Sequence, residues 1–222
     1  MLSQNPFGTD KGDYKSYIEK FYEEAFKPFQ GGKIDLLEIG FRHGASLALW
    51  SSYFPIGSIM GVDNYSDQVF IDSAPNPDWI NRRNVKAVFA DAYDPKFVET
   101  IDQNFDIVID DGPHSLKSQK AALVLYLPKI KQDGLLIIED IQSRGRRIIF
   151  SLAPLVPVHF AIQLLDFRSD GRGDDNKLFV VKRKHRKQFL NRFMVYLFAT
   201  MGIGYEFLYQ LTVAVRKRTA IR

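Results

Sequence analysis

The stretch KIDLLEIGFRHGASLALW, residues 33–50, holds the pattern that decides the fold. Its apolar run from Ile34 to Ile39 is of the kind that a buried parallel strand needs. Gly40 and Gly44 then allow a tight turn and a close approach of the backbone to a ligand. Residues 45–50 have helical spacing, so the first N–H groups of that helix would face the turn. The stretch predicts a strand, a glycine turn and a helix, which is either a ligand site or a plain connection.

The composition is that of an ordinary globular protein. Of the 222 residues, 45% are hydrophobic and 25% are charged, which allows one large domain with a buried core. The sequence has no cysteine, which excludes disulfides, thiolate metal sites and a cysteine nucleophile. The first residues show no apolar core of a secretory signal. We therefore expect a cytoplasmic protein.

Further apolar segments alternate with helical stretches along the chain. Four of these segments are predicted to be strands, at residues 59–63, 85–89, 105–111 and 134–140. Each ends in an acid, except that 85–89 is followed by Asp91 two residues later. Such alternation, with a helix such as 115–131 between strands, predicts right-handed βαβ units and a parallel sheet covered on both faces. Residues 159–167 and 177–181 are joined only by a glycine-bearing loop, so they should pair as a hairpin. The predicted fold class is α/β: a doubly wound, mostly parallel seven-stranded sheet with a C-terminal antiparallel hairpin.

The chain divides into three predicted regions: an N-terminal helical cap or lid (1–32), a central domain (33–183) and a basic, apolar helical tail (184–222). In the first region, residues 13–29 are predicted to form one helix with Tyr17, Phe21 and Phe26 on its apolar face. The glycine-containing loop of residues 8–12 precedes this helix. The loop is either a helix cap or a lid over the site.

Acidic residues stand at the ends of the predicted strands. They are Glu38, Asp63, Asp91, Asp110, Asp111, Glu139 and Asp140. Because the carboxyl ends of parallel strands line one crevice of an α/β sheet, we expect these carboxylates at a ligand site. Together they would repel one another unless cations, hydroxyls or amines complement them.

One of these acids indicates a nucleoside. Asp63 follows Gly40 by 23 residues, where an acid would hydrogen-bond ribose hydroxyls. Arg42 stands at the second glycine position of the dinucleotide-binding motif, however, so a close pyrophosphate approach is disfavoured. The pattern therefore argues against a dehydrogenase.

Three other carboxylates suit a divalent cation. Asp111, Glu139 and Asp140 end two strands that should be neighbours, and we expect them to converge with no Lys or Arg between them. Such a set favours Mg²⁺ over Zn²⁺. His114 follows Asp111 by three residues, where an imidazole could take a proton from a substrate. Whether Asp110 or Asp111 faces the ion stays open, because adjacent strand residues point to opposite sides.

Five motifs together resemble the class I S-adenosylmethionine-dependent methyltransferases. They are GTDKG (8–12), LLEIGFRHGASLALWSSYFP (36–55), IMGVD (59–63), FDIVIDDGPHS (105–115) and GLLIIED (134–140). The nearest group is the metal-dependent sugar O-methyltransferases that act on macrolide antibiotics, such as the macrocin and mycinamicin enzymes. The resemblance covers about residues 7–181 and implies that the central domain is a Rossmann-like methyltransferase domain.

The resemblance also implies a reaction and a site. The reaction is transfer of a methyl group from S-adenosylmethionine to a hydroxyl, of a sugar or glycosylated metabolite, with Mg²⁺ positioning this acceptor and His114 as general base. The implied ion ligands are Asp111, Glu139 and Asp140, and the implied cofactor-binding residues are Glu38, Gly40, Gly44, Asp63, Asp91, Ala92 and Asp110. Pro113 stands where the family commonly has Ser. The sequence does not include the large extra N-terminal domain of the macrolide enzymes, so substrate and assembly do not carry over.

The tail contains most of the positive charge. From Lys182 to Arg222, ten Lys and Arg oppose one acid, Glu206, so this segment carries +9 and the remaining residues −5 of the net +4. The longest charge-free run, residues 193–205, has 13 residues, short of the roughly 20 that span a bilayer. The tail is predicted to pack on the domain or on a partner subunit, or to lie on anionic lipid.

Several functions remain open from the sequence. The carboxylates suit any vicinal diol, so a catechol-like or other small hydroxylated molecule is an alternative acceptor. A membrane-docking protein with a degenerate nucleoside site is the non-enzymatic alternative. A nucleic-acid methyltransferase is disfavoured, because the core is acidic and no Asn-Pro-Pro-Tyr-type base-flipping motif occurs. We expect a small-molecule partner and no nucleic acid, and leave a homo-oligomer open.

Overall fold

The strands follow the predicted segments closely. The computed structural model describes residues 2–64, 82–142 and 150–183. Its strands are β1 (Asp35–Ile39), β2 (Ser58–Asp63), β3 (Val85–Phe89), β4 (Phe105–Asp110), β5 (Ile130–Ile138), β6 (Phe160–Asp166) and β7 (Lys177–Arg183). β5 starts four residues earlier than predicted, so it is the longest of these strands.

The seven strands form one mixed sheet in the order β3-β2-β1-β4-β5-β7-β6. β1 to β5 pair in parallel, whereas β7 runs antiparallel to both β5 and β6. The predicted α/β class, with a mostly parallel seven-stranded sheet and a C-terminal hairpin, is confirmed. The register aligns Ile39 with Asp110 and Asp110 with Ile138. The carboxyl ends of these strands therefore meet at one edge.

Five α-helices connect the strands or precede them in the described ranges. They are α1 (Asp10–Asp13), α2 (Glu23–Phe26), α3 (Ala45–Tyr53), α4 (Pro95–Glu99) and α5 (Leu116–Tyr126). The Ser115 side chain caps α5 by accepting a hydrogen bond from the Ser118 N–H, as expected of an N-cap serine. The predicted helix 115–131 is too long. It ends at Tyr126 because Pro128 stands in a 3₁₀ turn directly before β5.

The single helix predicted for residues 13–29 is wrong. The chain forms α1, a π-helical turn at Ile18–Tyr22, α2 and a 3₁₀ turn. In the π turn the Glu23 N–H bonds to the carbonyl five residues earlier, so residues five apart come to the same side. Tyr22 therefore joins Tyr17 on the buried side, while Phe21 stays partly exposed.

Hydrophobic residues cover both faces of the sheet. On one face, Phe26, Trp50 and Phe54 pack together, with the Phe26 ring centroid 5.4 Å from that of Trp50 and 5.7 Å from that of Phe54. On the other face, Leu123 and Tyr126 of α5 are buried against the strands. The N-terminal segment thus forms part of the core and is held against the sheet by aromatic contacts.

The division into a cap or lid, a central domain and a tail stays a prediction. The tail, residues 184–222, lies outside the described residues, as do 65–81 and 143–149. In the part of the chain that is described, no helix combines the length and the apolar character that crossing a membrane requires.

Phe26→Ala should lower the free energy of unfolding by about 3–5 kcal/mol, the usual cost of truncating a buried phenylalanine. The Phe26 side chain is fully buried, and the rings around it cannot close the cavity without moving the N-terminal segment. Urea denaturation followed by tryptophan fluorescence measures the change.

Val124→Ala is the matched control, since the Val124 side chain lies on α5 and is 58% exposed. Its effect should stay within about 0.5 kcal/mol. Equal unfolding free energies for the two variants would show that the N-terminal segment does not contribute to the core.

Candidate active site

A cavity of about 590 Å³ opens at the carboxyl edge of the sheet. Loops after β1, β2, β3 and β4 surround it, and the N-terminal segment closes one side. The lining residues are Gly8, Thr9, Asp10, Tyr14, Ile39–His43, Ala45, Ser46, Val62–Asn64, Ala90–Tyr93 and Asp111–His114. The predicted cofactor-binding residues Gly40, Asp63, Asp91 and Ala92 thus share one cavity, together with Asp111 and His114.

The glycine turn after β1 shapes the bottom of this cavity. Gly40 has φ +77°, and a Cβ atom there would lie 2.3 Å from the backbone oxygen of Asp111, so only glycine fits. Gly44 does not line the cavity but precedes α3 with φ 76°. The Asp63 carboxylate accepts a hydrogen bond of 2.9 Å from the Arg42 N–H. This bond ties the end of β2 to the turn.

Two predicted site acids lie behind the cavity. Glu38 is fully buried and accepts a 2.7 Å hydrogen bond from the Ser46 hydroxyl. Asp110 is buried and accepts a 2.6 Å hydrogen bond from the Tyr93 hydroxyl. Burial raises the pKa of Asp110 to about 6. In this structure, both acids hold the surrounding loops in place.

A buried lysine stands among the strand-end carboxylates. The Lys11 side chain is 1% exposed, and its Nζ lies 2.6 Å from Asp111 Oδ2, 2.8 Å from Glu139 Oε2 and 3.4 Å from Glu38 Oε1. The expectation that no Lys or Arg separates these carboxylates is therefore wrong. The spacing of the acids could not reveal it, because Lys11 precedes Asp111 by 100 residues.

This cluster has more negative than positive charge. Burial opposes the charge of Lys11, but Asp111, Glu139 and Glu38 outweigh it and raise the pKa of the ammonium well above its usual value. Burial in turn raises the pKa of Glu139 to about 7. The other oxygen of Glu139 accepts a hydrogen bond from the Tyr22 hydroxyl. Both oxygens of Glu139 therefore already have donors in this structure.

Asp111, His114 and Asp140 form a group that could hold a metal ion. His114 Nε2 lies 3.9 Å from Asp111 Oδ1 and 3.8 Å from Asp140 Oδ2. These distances are too long for direct hydrogen bonds, and one ligand atom from each residue lies within 4.8 Å of the others. Of the two adjacent aspartates, Asp111 faces this group and Asp110 faces Tyr93.

Backbone strain marks the same place. Arg42, His114 and Asp140 have φ of 46°, 56° and 51°, in the left-handed region that costs non-glycine residues about 1–3 kcal/mol. Such strain persists only where the surrounding structure imposes it, and it often accompanies functional sites. Three of the five non-glycine residues with positive φ in the described ranges lie at the glycine turn or in the metal-competent group of Asp111, His114 and Asp140; the other two are Asn5 and Asp133.

The residues that support the carboxylates were not predicted from the sequence. Besides Lys11, the Tyr17 hydroxyl donates to Asp140 Oδ1 at 2.7 Å, and Lys15 Nζ lies 3.2 Å from the same oxygen. Lys11 belongs to the GTDKG motif and Tyr17 to the predicted apolar face. Composition and periodicity carry no signal that would pair these side chains with distant acids.

Comparison with protein families agrees with this arrangement. Residues 37–141 match a family described as a methyltransferase domain. Over this stretch, just under half of its length, the chain is similar to the methyltransferases. The predicted resemblance to this class is thereby confirmed, and the matched residues include the glycine turn, Asp63, Asp91, Asp111 and His114.

The curated relatives of this methyltransferase domain act on natural products. Mycinamicin VI 2''-O-methyltransferase of Micromonospora griseorubida is 29% identical, over 60% of this chain and 33% of its own length. L-olivosyl-oleandolide 3-O-methyltransferase of Streptomyces antibioticus is 30% identical, over 58% of this chain and 31% of its own length. The chain therefore spans about a third of the length of these two relatives.

A solved structure supports the fold. The MycE methyltransferase of the mycinamycin biosynthetic pathway, solved in complex with Mg and SAH, aligns with a TM-score of 0.63 at 22% identity, covering 85% of this chain and 55% of that one. A second structure of MycE, with mycinamycin VI also bound, aligns equally well. At this identity the likeness concerns the fold.

Gly40→Ala should weaken the domain and its ligand affinity together. The added Cβ would overlap the backbone carbonyl of Asp111, so the ends of β1 and β4 would have to separate. We expect a clear loss of thermal stability and at least a tenfold weaker affinity for a cavity ligand such as S-adenosylhomocysteine, measured by differential scanning fluorimetry and calorimetry.

Gly31→Ala is the control, since it also has positive φ, +74°, but no atom within 4 Å of the added Cβ. It should lose some stability and keep its ligand affinity. Wild-type affinity in Gly40→Ala would contradict the assigned packing.

Proposed function

We propose that this chain is an S-adenosylmethionine-dependent O-methyltransferase that acts on a hydroxyl of a sugar-bearing small molecule with the help of Mg²⁺. One observation carries the proposal: a single cavity joins the glycine turn and Asp63 to Asp111 and His114, with Asp140 beside them. The cofactor and the acceptor can therefore meet in one enclosed place.

The cavity fits the cofactor in shape and charge. Asp63 lies where ribose hydroxyls would bind, and Asp91 and Ala92 follow β3 on the same rim. Asp10 and Asp111 add further carboxylates to the lining, which favours the sulfonium cation of S-adenosylmethionine. Glu38, Gly44 and Asp110 would act indirectly, through the loops that they hold.

The donor set also fits Mg²⁺. Asp111 Oδ1 and Asp140 Oδ2 both face His114, and Mg²⁺ in enzymes is commonly held by one or two carboxylates plus water and substrate. Lys11 cannot by itself neutralise the three carboxylates around it. The resemblance adds Glu139 as a third ligand, which stays a prediction, since Lys11 and Tyr22 engage both of its oxygens.

The chain's own residues would then carry the proton transfer. When bound, Mg²⁺ orients an acceptor hydroxyl and lowers its pKa. Burial lowers the pKa of His114, which favours the neutral imidazole, whose Nε2 can accept the hydroxyl proton. The side chain is 24% exposed, which leaves Nε2 within reach of a bound acceptor. Asp111 Oδ1 and Asp140 Oδ2 lie 3.9 and 3.8 Å from Nε2, so an acceptor bound by these oxygens would be beside the ring.

A sugar acceptor is favoured by the relatives. The curated proteins above are named as O-methyltransferases of mycinamicin VI and of L-olivosyl-oleandolide, and MycE was solved with mycinamycin VI. A catechol-like acceptor has no such support. We further propose a cytoplasmic enzyme with no nucleic-acid partner. Membrane contact through the tail and a homo-oligomer remain predictions, as does the membrane-docking alternative.

Calorimetric titration of S-adenosylmethionine should give micromolar binding with Mg²⁺ or with EDTA. Asp63→Ala should weaken this binding about 10–100-fold, because hydrogen bonds to a charged group contribute about 1.5–3 kcal/mol. Asp35→Asn, at the opposite end of β1, is the control and should bind normally. A wild-type protein that binds no cofactor would refute the proposed function.

His114→Ala should lower turnover about 10²–10⁴-fold, the usual contribution of a general base. The assay is S-adenosylhomocysteine release with a panel of glycosides. Mn²⁺, a paramagnetic substitute for Mg²⁺, should still bind this variant within a few-fold of wild type by EPR titration, whereas Asp111→Asn should lose at least tenfold in Mn²⁺ affinity. Full turnover by His114→Ala would exclude it as the base.

A further inference from the structure

In both Asp111 and Asp140, the two carboxylate oxygens have different partners. Asp111 directs Oδ1 toward His114 Nε2, while its Oδ2 accepts from Lys11. Asp140 directs Oδ2 toward the same nitrogen, while its Oδ1 accepts from the Tyr17 hydroxyl. In both cases the N-terminal segment holds one oxygen, and the other faces the metal-competent group.

Tyr17 is well suited to hold a carboxylate still. Its side chain is fully buried. Its hydroxyl has one proton to donate, and the nearest acceptor is Asp140 Oδ1 at 2.7 Å. The hydroxyl oxygen accepts from the N–H groups of Lys177 at 3.1 Å and Asp140 at 3.3 Å. The tyrosine therefore joins the loop after β5 to the start of β7 at one atom.

Asp140 needs such support more than an ordinary surface aspartate. Its backbone is in the left-handed region, and the terminal torsion of an aspartate is intrinsically broad. Lys15 Nζ is also 3.2 Å from Oδ1, but it lies closer, 2.5 Å, to Asp175. Tyr17 thus provides the shortest contact that fixes which oxygen of Asp140 faces His114.

We propose that Tyr17 is a positioning residue of the ion site, which orients Asp140 so that Oδ2 is available to a divalent cation. The inference rests on the proposed function for the identity of the ion. Through Tyr17, the N-terminal segment would help to form the ion site. Tyr17 itself touches neither the cofactor nor the reacting atoms.

The chain offers a matched control in Tyr22. Both tyrosines are fully buried and come from the same segment, five residues apart. The Tyr22 hydroxyl donates to Glu139 Oε1. The other oxygen of Glu139 accepts a hydrogen bond from Lys11 Nζ. Removing either hydroxyl deletes a buried hydrogen bond to a carboxylate, and Tyr17→Phe also removes the acceptor of two backbone N–H groups. Only Tyr17 binds a carboxylate whose other oxygen faces His114.

The experiment compares Tyr17→Phe with Tyr22→Phe in the full chain. Mn²⁺ affinity is measured by EPR titration, cofactor affinity by calorimetry, and folding by thermal denaturation. Tyr17→Phe should weaken Mn²⁺ binding about tenfold, the lower end of the usual effect of a residue that orients a metal ligand. Tyr22→Phe should stay within about twofold, because the group that could hold the ion in this structure is Asp111, His114 and Asp140 and does not include Glu139. Both variants should bind S-adenosylmethionine as wild type does.

The outcomes separate this inference from the proposed function. Unchanged Mn²⁺ affinity in Tyr17→Phe, or an equal loss in Tyr22→Phe, would overturn the positioning role while wild-type cofactor binding preserves the function. Wild type that binds the cofactor but no Mn²⁺ would overturn the ion site and this inference together. Wild type that binds Mn²⁺ but no cofactor would refute the function, and the two variants would still decide the role of Tyr17.

Discussion

Lys11 carries its ammonium group into a pocket formed by Glu38, Asp111 and Glu139, on three different strand ends. Removing such a partner from buried carboxylates strongly destabilises the folded protein, because the cost of their desolvation is no longer compensated. The N-terminal segment must therefore dock on the carboxyl edge of the sheet. Once it is docked, Tyr17 and Tyr22 reach Asp140 and Glu139, and residues 8–10 form a wall of the cavity. The geometry of the site follows from this one ion cluster.

The ion cluster does not account for the stability of the docked segment. Desolvation of buried charges offsets much of their attraction, so such pairs are weak contributors to net stability. The aromatic contacts of Phe26 and Tyr22 with Trp50 provide apolar burial instead. The segment is thus held by hydrophobic packing and aligned by charge. The cluster itself has three carboxyl groups around one ammonium group.

Much of the fold could be read from local patterns. Apolar runs that end in acids located β1 to β5 within a few residues, because strands buried on both faces have little room for polar side chains. The glycine loop between β6 and β7 predicted their pairing. The same approach gave a wrong result for the N-terminal segment. A regular 3.6-residue period predicted that Phe21 is buried, whereas the π turn places Tyr22 on the buried side. A pattern that assumes one helical period cannot detect a change of period within the helix.

The sequence by itself determined the class of the fold, the edge of the sheet where the cavity opens, and the acids that stand there. It could do so because a parallel strand places its last residues at a known edge whatever the rest of the chain does. Only the tertiary structure decided what each acid does. Glu38 and Asp110 lie behind the cavity, Glu139 is held by Lys11 and Tyr22, and Asp111 and Asp140 face His114. The partners of Glu139 and Asp140 lie more than 100 residues away in the chain, and no local pattern specifies which distant side chain arrives.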